Sequence, residues 1–378
     1  MMNRNGLFLA YTNHLRSGGG GVQKCTHEFI RVLGAAGVEL EILAVDPDRR
    51  SSTRLLRRFR SSRYWRPMSR ACLCKLRDAM PRFDYVFLNQ VALVGAIDDF
   101  NLGSKAPLLV MLSHGCEITD LLHLARLAQI LPLNTRDIWP SKRFALATTL
   151  VDEIKGRTQV HGVISISPFD AEMEAWLGSP STTWIPRIIE PCPLRRAPVC
   201  GRFGFVGTLD HPPNLEGLVN VLDSLLERNL HRLAIRVVGG PERQGTWLAS
   251  KYSSVEYLGP LDDHALQVEA GTWSAFLHPI FCLARGCSTK LATALSWQVP
   301  IITTALGRRG YTWRDGSMIE VSNPDEFVDA MYRFEEKNFA NTAHRDILAI
   351  SESCPTLDEV GSKVGTFLNS IRVQYAKP

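Results

Sequence analysis

The sequence has no apolar run long enough to cross a membrane, which takes about 18 residues. Its long apolar runs resemble Pro107–Leu112, and no small-residue cleavage site follows the short run Leu7–Tyr11. We therefore expect neither a membrane span nor a signal peptide, and a cytoplasmic location. An apolar fraction of 45% and a charged fraction of 21% exclude a disordered or fibrous chain.

The sequence also lacks the patterns that bind metals through cysteine. Its nine cysteines are scattered, none forms a Cys-x-x-Cys pair, and none has the spacing of zinc ligands. Reduced thiols are expected in a cytoplasmic protein. The triplet Asp46-Pro47-Asp48 is too short to indicate a metal site, and it ends a strand pattern. We expect no metal ion and no resident cofactor.

Acidic residues are missing between positions 49 and 77, where 11 basic residues stand. The other residues include 32 basic and 38 acidic ones, so this segment alone makes the chain basic. Aromatic side chains between the charges favour an anionic membrane or a lipid-linked pyrophosphate as partner, and a solvated surface helix is the alternative. No nucleic-acid module accompanies the segment, so we expect no nucleic-acid partner. The residues proposed for this patch are Arg57, Arg58, Arg63, Trp65 and Arg66.

Strand and helix patterns alternate along the chain, which predicts an α/β fold with parallel sheets covered by helices. Four prolines fall between residues 186 and 198, where the alternation stops before it restarts. We predict two doubly wound, Rossmann-like domains, 1–186 and 201–365, joined by a linker over 187–200. A last helix, 366–378, is expected to pack back on the first domain. Such a pair of domains holds its ligand in the cleft between them.

Three glycine-containing segments lie between a strand and a helix, where free backbone N–H groups favour anions. The first includes Gly18, Gly19 and Gly20, for which a flexible hinge is the alternative. It has neither a dinucleotide fingerprint nor a Walker lysine. The second contains Gly207 and Thr208. The third runs from Gly286 to Lys290 and predicts a phosphate cradle, with an ordinary helix cap and a surface lysine as the alternative.

His114 follows the strand Leu108–Leu112 and is expected to face the cleft. There its imidazole could position or deprotonate a substrate, although a lone histidine is more often structural.

Together these segments resemble the GT-B glycosyltransferases, in particular the retaining family 4 group that uses nucleotide-sugar donors. The order of the motifs is similar over nearly the whole chain. The matching segments are Gly18–Gly21, Ser113–Glu117, Ile164–Ser167, Phe205–Asn214, Gly286–Pro300 and Ala305–Gly310.

The resemblance implies a donor site in the C-terminal domain and no bound metal, because helix N-termini and cations neutralise the leaving diphosphate. His114 and Lys290 would be catalytic. Gly18, Gly19 and Gly20 would border the acceptor and the donor phosphate. Arg285 and Thr293 depart from the family, which has a pair of glutamates at these positions. The residues implied for donor binding are Gly207, Thr208, Gly239, Leu258, Arg285, Gly286, Ser288, Thr289 and Thr293.

The function predicted from these features is metal-independent, retaining transfer of a sugar from a nucleotide diphosphate to a glycan or lipid-linked acceptor. It would serve bacterial-type polysaccharide or glycoconjugate synthesis, in the cytoplasm or peripherally on the inner membrane leaflet. The missing glutamates keep a second interpretation open, a non-catalytic homologue that binds nucleotide sugars. A third is an NAD(P)-dependent oxidoreductase or epimerase, supported only by the glycine segment and the α/β alternation.

Overall fold

A computed structural model of the chain describes residues 4–17, 20–46, 68–96, 106–127, 139–228 and 232–375. Within these ranges the chain forms two six-stranded sheets in which neighbouring strands run parallel, with helices between most successive strands. This is the two-domain α/β fold of GT-B type that the sequence predicts. The strands are β1 (Arg4–Tyr11), β2 (Val38–Val45), β3 (Tyr85–Asn89), β4 (Leu108–Leu112), β5 (Gly162–Ser165), β6 (Thr182–Trp184), β7 (Arg202–Val206), β8 (Ala234–Val238), β9 (Val255–Gly259), β10 (Ala275–His278), β11 (Ile301–Thr303) and β12 (Ile319–Glu320).

The helices that cover the sheets differ in length. They are α1 (Gly21–Ala35), α2 (Arg70–Ala79), α3 (Glu117–Leu127), α4 (Trp139–Thr158), α5 (Pro168–Trp176), α6 (Pro212–Glu227), α7 (Glu242–Lys251), α8 (Asp263–Ala270), α9 (Thr289–Ser296), α10 (Pro324–Arg333), α11 (Lys337–Ser353) and α12 (Leu357–Tyr375). No helix in the described ranges is long and apolar enough to cross a membrane.

The strand order places one switch point in each sheet. The first sheet has the order β2-β1-β3-β4-β5-β6, and the second has the order β12-β11-β10-β7-β8-β9. The direction of winding reverses between β1 and β3 and between β7 and β10. Doubly wound sheets bind ligands at the carboxyl ends of the strands beside such a reversal. The loops after these strands are therefore where a site is expected.

Helix α1 shows how the sequence builds this edge. It begins after Gly20 and buries Cys25, Phe29 and Leu33 on one face, while its other face is exposed. This apolar spacing fits a helix that covers a sheet. Burial of each such side chain stabilises the fold by about 1.5–3 kcal/mol. Packing thus holds the start of α1 at the carboxyl end of β1.

The last helix, α12, packs against α1. It begins nine residues before the predicted position 366. The reason is a capping box, in which the Thr356 hydroxyl accepts a hydrogen bond from Glu359 N (3.3 Å) and the Glu359 carboxylate accepts one from Thr356 N (2.8 Å). A side chain at Gly361 would lie 2.7 Å from Ala35, so the glycine permits the close approach of the two helices.

The segment between the two sheets, residues 185–201, contains no helix or strand. Backbone hydrogen bonds attach this segment to elements around the second sheet: Cys192 N donates to Ser296 O, and Ala197 N donates to Gly271 O. The domain bounds 1–186, 187–200 and 201–365 stay predictions.

Candidate functional site

Loops at the carboxyl ends of strands in both sheets line one cavity of about 580 Å³. The first sheet contributes the start of α1, the loop after β4 and part of α3. The second contributes the loops after β7 and β10 and the start of α9. This is where doubly wound folds bind ligands. Of the residues singled out in the sequence, the lining includes His114, Thr208, Arg285, Gly286, Ser288, Thr289 and Lys290.

A chain of hydrogen bonds fixes the imidazole of His114. Its Nε2 lies 2.8 Å from Oδ1 of Asn89, the last residue of β3. Asn89 Nδ2 donates to Oγ1 of Thr26 at 3.0 Å, and the Thr26 hydroxyl donates to the Val22 carbonyl at 2.8 Å. The Val22 carbonyl can only accept, so the Thr26 hydroxyl donates to it and accepts from Asn89 Nδ2. Asn89 Oδ1 is then an acceptor for His114 Nε2. The network therefore assigns the proton of the neutral imidazole to Nε2.

Burial is the main reason why the pKa of His114 falls to about 3, and the nearby Arg285 guanidinium lowers it further. The imidazole is therefore uncharged at neutral pH. With Nε2–H donated to Asn89, its Nδ1 is a hydrogen-bond acceptor. This arrangement suits positioning a hydroxyl group, and it does not supply a positive charge.

On the opposite wall, Lys290 is the second residue of α9 and is half-buried. Burial alone lowers its pKa to about 7. Its Nζ lies 5.9 Å from the centre of the Phe205 ring, and no carboxylate of the described residues forms an ion pair with it. A Cβ atom at Gly207 would come within 2.7 Å of this Nζ, so the absence of a side chain at Gly207 makes room for the ammonium group. At neutral pH this amine is therefore charged in about half of the molecules, and an anion bound beside the helix N-terminus would favour its charged form.

Ser288 precedes α9, but its hydroxyl makes no capping hydrogen bond with the helix. Instead its Oγ lies 2.8 Å from His278 Nε2, while His278 Nδ1 lies 2.9 Å from Thr303 Oγ1. The Thr303 hydroxyl donates to the His278 carbonyl, so it accepts from Nδ1–H, and Nε2 accepts from Ser288. The first N–H groups of α9 are thus left to a ligand in the cavity.

The pKa of His278 is lowered to about 3, chiefly by burial and further by Lys290 and Arg309. This histidine is therefore a neutral part of the wall.

Arg285 connects the two walls. Its Nη1 lies 3.6 Å from Glu117 Oε1, and its Nε lies 3.5 Å from Asp120 Oδ2, both on α3. Directly beside this contact, a Cβ at Gly115 would lie 2.4 Å from Gly286 N, and Gly115 has a φ of 91°. Only glycine fits there. The loops after β4 and β10 therefore touch, with the guanidinium paired to acids of the first domain.

A buried ion pair supports the loop that carries His114. Arg157 Nε lies 2.5 Å from Glu174 Oε2, Arg157 Nη2 lies 2.9 Å from Glu174 Oε1, and both side chains are at most 1% exposed. Ser113 Oγ donates to the same carboxylate at 2.5 Å and accepts from Gly115 N at 3.0 Å. The pair thus anchors the backbone on either side of His114.

Several residues implied for donor binding do not line the cavity. Gly207 and Gly239 touch each other behind it, because a Cβ at Gly239 would lie 2.1 Å from Gly207 O. Leu258 packs against the hydrophobic core. Thr293 donates through Oγ1 to Thr289 O (3.2 Å) within α9.

In the glycine segment, Gly20 is the N-cap of α1, next to the cavity residue Gly21. Gly18 and Gly19 lie outside the described residues, as does the basic patch of Arg57, Arg58, Arg63, Trp65 and Arg66. Among the described residues, no three His, Cys, Asp or Glu side chains are arranged to hold a metal ion.

Sequence reasoning missed Asn89, His278 and the pair Arg157–Glu174. Asn89 and His278 are the last residues of buried strands, and this position was the available signal, because strand ends at a switch point face the ligand. No spacing rule connects Arg157 with Glu174, since they lie on different helices, α4 and α5.

Comparisons with known proteins agree with this architecture. Residues 201–336 match the family model for Glycosyl transferases group 1. No curated protein matches the chain in sequence. Similar solved structures include HepE of Anabaena in complex with UDP and glucose, at 14% identity and a TM-score of 0.60, covering 97% of this chain and 100% of that one. Sucrose-phosphate synthase of Thermosynechococcus elongatus has 13% identity and a TM-score of 0.61, covering 98% and 100%. WaaG, a glycosyltransferase involved in lipopolysaccharide biosynthesis, has 15% identity and a TM-score of 0.54, covering 96% and 99%.

Proposed function

We propose that this chain, whose residues 201–336 match the family model for Glycosyl transferases group 1, moves a sugar from a nucleotide-diphosphate donor to a glycan or lipid-linked acceptor. The observation that carries the proposal is Lys290, a cation without an acidic partner among the described residues, at a helix N-terminus in the cavity. Polysaccharide or glycoconjugate synthesis is the setting proposed for it, and WaaG is a structural neighbour from such a setting.

The diphosphate of the donor would bind at the start of α9. Its charge grows as the bond to the sugar breaks, and an ammonium and free N–H groups at that point stabilise the developing charge. Lys290 would supply the ammonium, while Ser288 and Thr289 border the free amides. Because these groups provide the neutralisation, we propose that transfer needs no metal ion. HepE, whose fold is similar, has been observed with UDP and glucose.

The sugar would lie between Lys290 and His114, where Nδ1 of His114 is an acceptor for a sugar hydroxyl. In the retaining reaction that we propose, the acceptor oxygen attacks the anomeric carbon from the face of the leaving group. The bond from this carbon to the diphosphate breaks, the bond to the acceptor oxygen forms, and the diphosphate takes the acceptor proton. The configuration at the anomeric carbon is therefore kept.

A non-catalytic homologue is the second candidate, and Thr293 is the observation that favours it. Its hydroxyl is bonded within α9 and does not line the cavity, so it offers no carboxylate to the ribose of a nucleotide. Such a protein would bind a nucleotide sugar through the diphosphate and would show no turnover with any acceptor.

The test is a thermal-shift panel of UDP, GDP, dTDP, CMP, ADP and NAD, followed by turnover with sugars of the nucleotide that binds. A ligand specific for the native state raises stability by RT ln(1 + [L]/Kd). We expect stabilisation by one diphosphate, and transfer that persists in EDTA. Binding without transfer favours the non-catalytic homologue. Stabilisation by NAD alone overturns the proposal.

The basic patch is proposed as the acceptor side, docking on an anionic inner-leaflet surface or on a lipid-linked glycan. Co-sedimentation with vesicles of phosphatidylglycerol and phosphatidylcholine, against phosphatidylcholine alone, tests the membrane part. We expect binding to the anionic vesicles only, reduced in Arg57→Ser/Arg58→Ser, since each basic residue near such a surface contributes about 1 kcal/mol. Equal binding to both vesicles contradicts it.

A further inference from the structure

An open groove of about 310 Å³ lies where the chain passes between the two sheets. We name it the hinge groove, and it shares no lining residue with the cavity described above. The residues that matter to the argument are Trp184, Trp313, Arg314, Ser353, Glu359 and Lys363.

Both sheets contribute to the hinge groove. Trp184 ends β6 of the first sheet, and Trp313 lies in the loop between β11 and β12 of the second. Helix α12 forms the remaining side of the groove with Glu359 and Lys363, which are one turn apart on one helix face. Concave sites at domain boundaries, lined by aromatic side chains and a few polar groups, are where proteins bind small ligands.

Part of the polar lining is held in place by bonds within the protein. Arg314 Nη1 lies 2.7 Å from Glu359 Oε1, and Ser353 Oγ accepts from Asp315 N at 3.0 Å. The indole N–H of Trp313 donates to Gly316 O at 3.1 Å. These contacts connect the residues of the rim, and the charges of Arg314 and Glu359 offset each other.

Two donors in the groove are not used in this way. Lys363 Nζ lies 4.3 Å from the centre of the Trp184 ring, a cation–π contact. In the described part of the chain, neither this ammonium nor the Trp184 indole N–H has a hydrogen-bond acceptor. Partial burial lowers the pKa of Lys363. The groove thus offers apolar ring surface, an N–H donor and one positive charge.

We infer that the hinge groove binds a carboxylate-bearing sugar unit of an acidic glycan. The apolar face of a sugar ring would cover the part of the indole surface that Lys363 leaves open, its hydroxyl groups would accept from the Trp184 N–H, and its carboxylate would pair with Lys363. The inference rests on the proposed function, because such a glycan would be the acceptor or product of the transfer. Held there, a growing chain stays close to the enzyme between successive transfers.

The experiment is calorimetric titration of the full chain with a tetrasaccharide of alternating glucuronate and N-acetylglucosamine. The matched ligand is the same tetrasaccharide with its carboxyl groups reduced to alcohols. We expect the acidic form to bind about tenfold more tightly, the size of one charge-assisted contact. Lys363→Ala should remove this difference, and Trp184→Ala should abolish binding of both forms. Trp176→Ala, which changes a tryptophan that is 72% exposed and outside the groove, is the matched control.

Equal affinities for the acidic and reduced tetrasaccharides overturn the inference, and so does binding that Lys363→Ala leaves unchanged. An absence of binding by the natural chain overturns it as well. Lys363→Ala keeps the test decisive if Trp184→Ala fails to fold, because Lys363 is exposed. A titration of the same samples with each nucleoside diphosphate of the thermal-shift panel (UDP, GDP, dTDP and ADP) reports on the cavity. Tetrasaccharide binding without nucleotide binding counts against the proposed function. Nucleotide binding without tetrasaccharide binding counts against this inference.

Discussion

The two walls of the cavity differ in whether their charged side chains are paired with an opposite charge. On the wall of the first sheet, His114 is neutral and bound to Asn89, and in the buried layer that supports it the guanidinium of Arg157 is matched by Glu174. On the wall of the second sheet, Lys290 has no acidic partner among the described residues. Arg285 belongs to the second wall but is paired with Glu117 of the first.

The difference indicates which part of a nucleotide sugar each wall suits. A diphosphate needs uncompensated positive charge and free N–H groups, which only the second wall offers. A sugar needs directed hydrogen bonds and no net charge, which the first wall offers through His114. Contacts between the two walls, such as that of Arg285 with Asp120, hold the two sides of the cavity together.

The largest effect is expected from removing the uncompensated charge. Lys290→Ala should lower kcat/KM for sugar transfer by about 10²–10³, the loss seen when a transition-state charge loses one donor. Lys290→Arg keeps the charge and should lose less. Steady-state kinetics checks this, with Lys337→Ala, an exposed lysine at the start of α11, as control. Unchanged kcat/KM in Lys290→Ala would place the diphosphate elsewhere.

The buried pair of the first wall should dominate stability. Glu174→Gln removes the carboxylate that pairs directly with the buried Arg157 guanidinium and leaves only the charge of the neighbouring Glu153, so the free energy of unfolding should fall by about 3 kcal/mol. Urea unfolding of both proteins measures this. Glu172→Gln in the same helix is the control, since that side chain is exposed and should change stability by less than about 0.5 kcal/mol. Similar stabilities of the two variants would mean that the pair is not needed.

The neutral histidines make stability depend on pH. The pKa is about 3 for His114 and His278 and about 4 for His211, against 6.5 for an ordinary histidine. Below pH 6.5 the unfolded chain binds protons at these histidines that the native state does not bind. Their contribution to the free energy of unfolding is therefore present above pH 6.5 and is lost as the pH falls below it. Each histidine contributes up to about 1.4 kcal/mol per pH unit.

Urea unfolding at pH 7.5, 6.5 and 5.5 should therefore show a smaller loss in the first step and a larger loss in the second, because an ordinary histidine is half protonated at pH 6.5. Lys290, with a pKa of about 7, adds to the first step. His211→Asn removes one histidine contribution and should reduce the loss in the second step, while His264→Asn, at an exposed position, should leave it as it is. A first step as large as the second would assign the effect mainly to groups other than the histidines.

The sequence predicts the longer strands well because glycine and proline bound their apolar runs. Examples are β8 before Gly239 and β9 before Pro260. The short edge strands β6 and β12 escape, because three and two residues carry no periodicity. The start of α12 was missed although the capping box from Thr356 to Glu359 can be read in the sequence.

For the site, the predictable part is the part that follows a strand and opens a helix, such as the segment from Gly286 to Lys290. Its position follows from chain direction in a parallel sheet, without knowledge of packing. Partners such as Asn89 for His114 depend on which strands lie side by side. That is a tertiary property, because β3 and β4 pair through a register that no local pattern specifies.

The smallest effect is expected from introducing a carboxylate at position 293 of α9. Thr293 lies four residues after Thr289 on α9, so both are on one helix face, and Thr289 lines the cavity. A glutamate at 293 is long enough to reach the ribose hydroxyls of a nucleotide bound at the start of α9. Thr293→Glu should tighten UDP binding about tenfold, the size of one charged hydrogen-bond pair. The gain should vanish for 2′,3′-dideoxy-UDP and for Thr293→Gln, which has the length without the charge. Equal gains for UDP and its dideoxy form would show that the glutamate acts on something other than the ribose, and the nucleotide would then lie differently against this wall.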